Sequence, residues 1–130
     1  MAVVDASVVV ELLVHGERTK LVEERLAAEE FTLWAPQLLD AEVGQALRRY
    51  VRSGGLDPDV AGNRLWRLDK LPVERIEHEL LIHVAWALRD CVSFYDALYV
   101  ALAQMLDEPL LTLDARLARA GIDAKIEVLA

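Results

Sequence analysis

The sequence predicts an α/β fold of three layers, α/β/α, around a central parallel sheet of four to five strands. Two observations lead there. Short runs rich in β-branched and aliphatic residues alternate along the chain with longer segments of helical periodicity. Strands separated by helices pair in parallel and are covered on both faces. The runs are also apolar throughout rather than alternating, the mark of strands buried on two sides. A length of 130 residues suits one domain, 1–130, with a sizeable core.

Residues 2–5 open the chain as a buried strand, and Asp5 ends it. The segment 6–13 reads as a helix despite its valines, and Gly16 breaks it. A charged amphipathic helix follows over 18–30, with Leu21, Val22, Leu26 and Ala27 on one side. Residues 31–35 form a second strand, and Pro36 opens the next helix near its first position. That helix spans 37–52 and stops at Gly54-Gly55. Its apolar stripe is Leu39, Val43, Ala46, Leu47 and Tyr50, with Glu42 on the same stripe and Asp40 turned to solvent. Asp57-Pro58 starts a helix carrying Val60, Ala61, Leu65 and Leu68, which ends before Pro72. A third strand over 73–76 leads to a helix over 77–90, then to a nearly all-apolar helix from Ser93 to Leu106. Pro109 resets the chain into a strand over 110–113, ending at Asp114. A short helix over 115–120 is capped by Gly121, and 126–128 forms a weak last strand.

Composition bounds the function loosely. With 22 acids against 14 bases, the net charge of −8 argues against a polyanion partner. That argument lapses if several acids share one pocket, because divalent cations bound there reverse the local field. A hydrophobic content of 55% leaves apolar surface for a partner. The longest unbroken apolar run, 97–103, is too short to span a bilayer. The first residues lack a basic region and contain Asp5 and Glu11, unlike a signal peptide. The lone Cys91 excludes an internal disulfide and fits a reducing cytoplasm.

Four acids stand in apolar surroundings at the ends of elements: Asp5, Glu42, Asp96 and Asp114. On its own, Ser93-x-x-Asp96 reads as a capping box, in which the acid only closes the start of a helix. The four together read differently. In a parallel sheet, sites form beyond the carboxyl ends of the strands, where strand order reverses. Asp5 and Asp114 follow strands, Asp96 begins a helix, and Glu42 lies in the second turn after a strand. Carboxylates converging without matching bases repel one another, and oxygen-only ligands suit Mg²⁺ or Mn²⁺ rather than zinc. Two such ions about 4 Å apart would orient a phosphodiester, activate water and stabilise the leaving oxygen. Ser7 and Thr112, beside Asp5 and Asp114, are candidates to orient the carboxylates by hydrogen bonds.

These residues carry a resemblance. Val3-Val4-Asp5-Ala6-Ser7, Leu39-Asp40-Ala41-Glu42-Val43, Tyr95-Asp96-Ala97-Leu98-Tyr99-Val100-Ala101-Leu102-Ala103 and Leu111-Thr112-Leu113-Asp114-Ala115-Arg116-Leu117 resemble, in order and spacing, the PIN domain. More narrowly they resemble the VapC toxins of type II toxin–antitoxin systems. The resemblance implies a PIN-like fold and an endoribonuclease whose four acids, here Asp5, Glu42, Asp96 and Asp114, bind Mg²⁺ or Mn²⁺. It also implies a homodimer and a cognate VapB-type antitoxin that often places an arginine near the carboxylates. Many members carry Asn three residues after the helix glutamate, where this chain has Gln45. RNA requires positive charge around an acidic centre, and Arg48, Arg49, Arg52, Arg116 and Arg119 are the candidates to supply it.

Other signals are set aside. His78 and His83 are five apart, about 140° around a helix, and cannot share a metal as in HExxH. They read as surface or helix-end residues, and His15 as a turn residue. Cys91 reads as a buried thiol and Trp34, Trp66 and Trp86 as packing residues. A catalytically silent PIN-like binding module is the alternative function, but it would be expected to lack one of the acids. A phospho-receiver domain needs an acidic pair after the first strand, where Asp5 stands alone.

Overall fold

The computed structural model describes all residues, 1–130. Five short strands form the expected sheet, β1 (Ala2–Val4), β2 (Leu33–Pro36), β3 (Val73–Ile76), β4 (Leu110–Thr112) and β5 (Ile126–Val128). Their order is β3-β2-β1-β4-β5, with every pairing parallel. Val3 stands opposite Trp34 on one side and Leu110 on the other. The three central strands are buried at almost every position, which is why their sequences do not alternate.

Helices α1 (Ala6–Val14), α2 (Thr19–Ala28), α3 (Leu38–Arg52) and α4 (Pro58–Trp66) connect β1 to β2 to β3, moving steadily toward one edge. After β3 the chain passes through α5 (Ile82–Trp86) and α6 (Phe94–Leu106), crosses back over the sheet and enters β4 beside β1. Right-handed crossovers place the first group of helices and the second on opposite faces. The packing agrees: α1 meets α2, α3 and α4, whereas α6 meets α5 and lies over β1, β2 and β4. The last helix, α7 (Ala115–Ala118), leads to β5. Strand order reverses between β1 and β4, so the residues leaving those two strands are neighbours at the site-forming end of the sheet.

Several boundaries differ from the sequence expectation. Glu30 and Phe31 have positive φ, 55° and 52°, so the chain turns there and β2 begins only at Leu33. Pro36 closes β2 instead of opening α3. The segment 77–90 is not one helix but a 3₁₀ turn (His78–Leu80), α5 and further turns. His78 is engaged rather than idle: its Nε2 accepts the Leu38 N–H at 2.8 Å, closing the start of α3, whose own N-cap side chain does not. On α2 only Val22 and Leu26 are buried, and Leu21 and Ala27 face solvent. Asp40 pairs with Arg75 at 2.9 Å. Cys91 is exposed, not buried. Trp66 and Trp86, 76% and 60% exposed, stand on the surface rather than in the core, with the Arg89 guanidinium 5.1 Å from the Trp86 ring centre. No helix is long and apolar enough to cross a membrane.

Candidate active site

Asp5 leaves β1 and caps α1, in extended backbone that turns its carboxylate back over the helix start. Its Oδ1 accepts from Val8 N at 3.3 Å and from Ser7 Oγ at 2.5 Å, and its Oδ2 from Thr112 Oγ1 at 2.5 Å. The two hydroxyls are themselves held. Thr112 Oγ1 accepts the Asp114 N–H at 3.0 Å, and Ser7 Oγ accepts the Leu113 N–H at 2.9 Å. A buried polar net thus ties the turn after β1 to the turn after β4.

Asp114 caps α7, with Oδ1 accepting from Arg116 N and Nε at 2.9 and 3.1 Å and Oδ2 from Nη2 at 2.9 Å. Asp96 lies in the first turn of α6. The capping reading holds on one side only: Ser93 Oγ accepts the Asp96 N–H at 3.1 Å, while the Asp96 carboxylate lines the cleft. Glu42 comes from the second turn of α3 and is half-buried, on the flank of a stripe formed by Leu39, Val43 and Leu47.

All four carboxylates line one cleft of about 830 Å³ at the carboxyl end of the sheet. Ser7, Gln45, Arg49, Tyr99 and Arg116 line it as well. Thr112 lies fully buried beneath it. Of the arginines expected to face RNA, Arg49 and Arg116 are on its wall. Arg119 acts on Asp114 from outside. Arg48 and Arg52 are exposed and do not line it.

Two charged lining residues were not among the expected site residues, Glu11 and Arg18. Glu11 Oε1 accepts the Arg18 N–H at 2.6 Å and so holds the turn between α1 and α2. Gly16 leaves room for that carboxylate: a Cβ there would come within 2.4 Å of Glu11 Oε2 and displace it. The available signal was a lone acid in a valine-rich helix, four residues after Ser7 and therefore on its face.

The electrostatics of the cleft are frustrated. Burial lifts Asp5 from 3.8 to about 6, against the pull of Ser7, Thr112 and Val8, and Asp96 adds to the rise. Burial also raises Glu42, with a further push from Asp96. Asp96 rises from burial and the field of Asp114. Asp114 alone is lowered, by the Arg116 guanidinium. A hard divalent cation would relieve this repulsion, and the oxygen-only donors fit one. As they stand, no three acids close on a single point: both Asp5 oxygens are turned to hydroxyls and both Asp114 oxygens to Arg116.

Comparison with known proteins places the chain in a family. The PIN domain family model matches residues 2–123. Ribonuclease VapC1 of Mycobacterium tuberculosis is 47% identical over 128 residues, covering 97% of this chain and 96% of the relative. Ribonuclease VapC3 of the same organism is 43% identical, covering 91% and 85%. The crystal structure of M. tuberculosis VapC20, described as a sarcin–ricin loop cleaving toxin, superposes with a TM-score of 0.72 at 16% identity, over 96% of this chain and 99% of that one. That likeness speaks for the fold. The chain belongs to the PIN-domain family and, within it, to the VapC ribonucleases.

Proposed function

We propose that the chain is a single PIN domain, 1–130, acting as a divalent-metal-dependent endoribonuclease and as the toxin of a type II toxin–antitoxin pair in the cytoplasm. The observation that carries the reading is the meeting of four acids from four elements in one cleft, in a chain whose relatives are named ribonucleases. Asp5, Glu42, Asp96 and Asp114 would hold Mg²⁺ or Mn²⁺, which when bound supplies phosphate polarisation and a water of lowered pKa.

The chain's own groups do the rest. Ser7 and Thr112 fix the Asp5 carboxylate by hydrogen bonds to both oxygens. Arg49 and Arg116 bring positive charge to the rim of an acidic pocket, where the phosphates on either side of the scissile bond need it. The same acidic pocket suits an arginine of a VapB-type antitoxin, which would pair with the carboxylates and block substrate. The exposed apolar side chains of Leu80, Ile82, Trp86, Phe94 and Tyr95, which fall within residues 80–95, are the surface that a homodimer would cover.

The test is incubation of the purified chain with cellular RNA, with Mg²⁺ or Mn²⁺ and with EDTA. Cleavage is expected only with metal, and not at all by Asp96→Asn. Cleavage that persists in EDTA would overturn the metal-dependent reading. Arg116 gives a second test. Its side chain is 83% exposed, so Arg116→Ala is expected to leave the melting temperature unchanged. The KM for RNA should rise several-fold at low salt, with the difference shrinking as salt is added. Equal KM at low salt would remove Arg116 from the substrate contacts.

A further inference from the structure

Among the residues lining the cleft, Tyr99 is the one whose side-chain polar atom is buried without a hydrogen-bond partner. It lies on α6 three residues after Asp96, so the two side chains leave the same face of the helix. The residue is 2% exposed. Glu42, Asp5 and Asp96 all act on its hydroxyl, with Glu42 the strongest of the three. A phenol is protonated at neutral pH and is therefore a donor.

A buried hydroxyl that bonds to nothing is desolvated without compensation, a cost that phenylalanine would avoid at nearly the same volume. The hydroxyl therefore reads as kept for a task. Glu42 and Asp96 are the two acids whose carboxylates accept no fixed hydrogen bond, since Asp5 is held by Ser7 and Thr112 and Asp114 by Arg116; Asp96 has the Ser93 hydroxyl beside it, and Glu42 has Tyr99. No hydrogen bond to the Glu42 carboxylate is formed, and Tyr99 is the donor that most favours its charged form.

We propose that Tyr99 is a positioning residue: its hydroxyl, unpartnered here, donates to the Glu42 carboxylate when a divalent cation is held, setting the direction of that carboxylate and leaving its second oxygen for the cation. The inference rests on the metal-dependent reading above and assigns a role that the four acids alone do not supply. It predicts that Tyr99 acts through Glu42 and not on the fold.

Tyr99→Phe tests it, with three measurements on the purified protein: urea unfolding, Mn²⁺ affinity by electron paramagnetic resonance, and kcat and KM on an RNA oligonucleotide. Unfolding should occur at the same or higher urea concentration. Mn²⁺ affinity and kcat should each fall by about tenfold or more, the range found for residues that orient a metal ligand, with KM unchanged. In the Glu42→Gln background the same change should weaken Mn²⁺ binding no further. A Phe variant that binds Mn²⁺ and turns over like the wild type overturns the inference alone, and so does an additive loss in the Gln background. A wild type that neither binds Mn²⁺ nor cuts RNA overturns the metal-dependent reading, and the inference with it.

Discussion

Asp5→Asn is expected to abolish RNA cleavage while making the fold more stable at pH 7. The two effects have one cause. Asp5 is almost wholly buried, and burial raises its carboxyl from 3.8 to about 6 despite three hydrogen bonds. In the unfolded chain the group ionises near its ordinary value, so between about pH 4 and pH 6 the unfolded state carries fewer protons than the native one. Stability falls as pH rises through that window. Above it the penalty is constant, and below pH 4 it vanishes because both states are protonated. The rise corresponds to an effect on the order of 3 kcal/mol. Asparagine keeps the shape and an acceptor for one hydroxyl, carries no charge and cannot ligate a cation as a carboxylate does. Urea unfolding in EDTA at pH 4, 5, 6 and 7 checks this. The Asn variant should gain on the wild type between pH 4 and pH 6 and then level off, at about 1–3 kcal/mol by pH 7. A variant less stable than wild type at pH 7 would mean that the hydroxyls outweigh burial in holding the Asp5 charge.

Such frustration also explains what the sequence disclosed and what it did not. The alternation of short apolar runs with helical segments carried the whole layer architecture, because strands buried on both faces have no freedom to be polar. The four acids were legible for the same reason: a charge amid aliphatic residues at the end of an element has few structural excuses. What escaped depends on contacts between distant residues. His78 closing the start of α3 spans 40 positions, and no local pattern announces it. Glu11 was visible as an acid in an apolar helix, but its bond to Arg18 N depends on how the chain turns at Gly16. Trp66 and Trp86 were misread because aromatic residues are core residues by default, and exposure follows from which helix face the sheet leaves uncovered. The helix expected over 77–90 failed because helical periodicity in a short amphipathic segment is a weak constraint, and a long-range bond from His78 competes with it.

Thr112→Val is expected to impair both stability and activity, with an effect on stability opposite to that of Asp5→Asn. Thr112 is completely buried in β4, and its hydroxyl works in two directions. It donates to Asp5 Oδ2 at 2.5 Å and accepts the Asp114 N–H at 3.0 Å. Valine matches its volume but leaves a buried charge short of a donor and a backbone N–H short of an acceptor, each at a cost of about 1–3 kcal/mol. Losing the donor also lets Asp5 swing within the cleft and leaves the turn that presents Asp114 unsupported, so a fall of about 10–100-fold in RNA cleavage is expected. Thr112→Ser separates the two roles of the side chain. It removes only a buried methyl, worth about 1 kcal/mol, and keeps the hydroxyl, so its turnover should stay within a few-fold of the wild type. Adding Asp5→Asn to Thr112→Val should recover part of the lost stability, because the charge that needed the donor is gone, and should recover no activity. Unfolding and RNA cleavage measured on the four variants decide it. Should valine cut RNA as well as threonine, the buried hydroxyl is a packing detail of β4 and the link between Asp5 and Asp114 plays no part in the chemistry of the cleft.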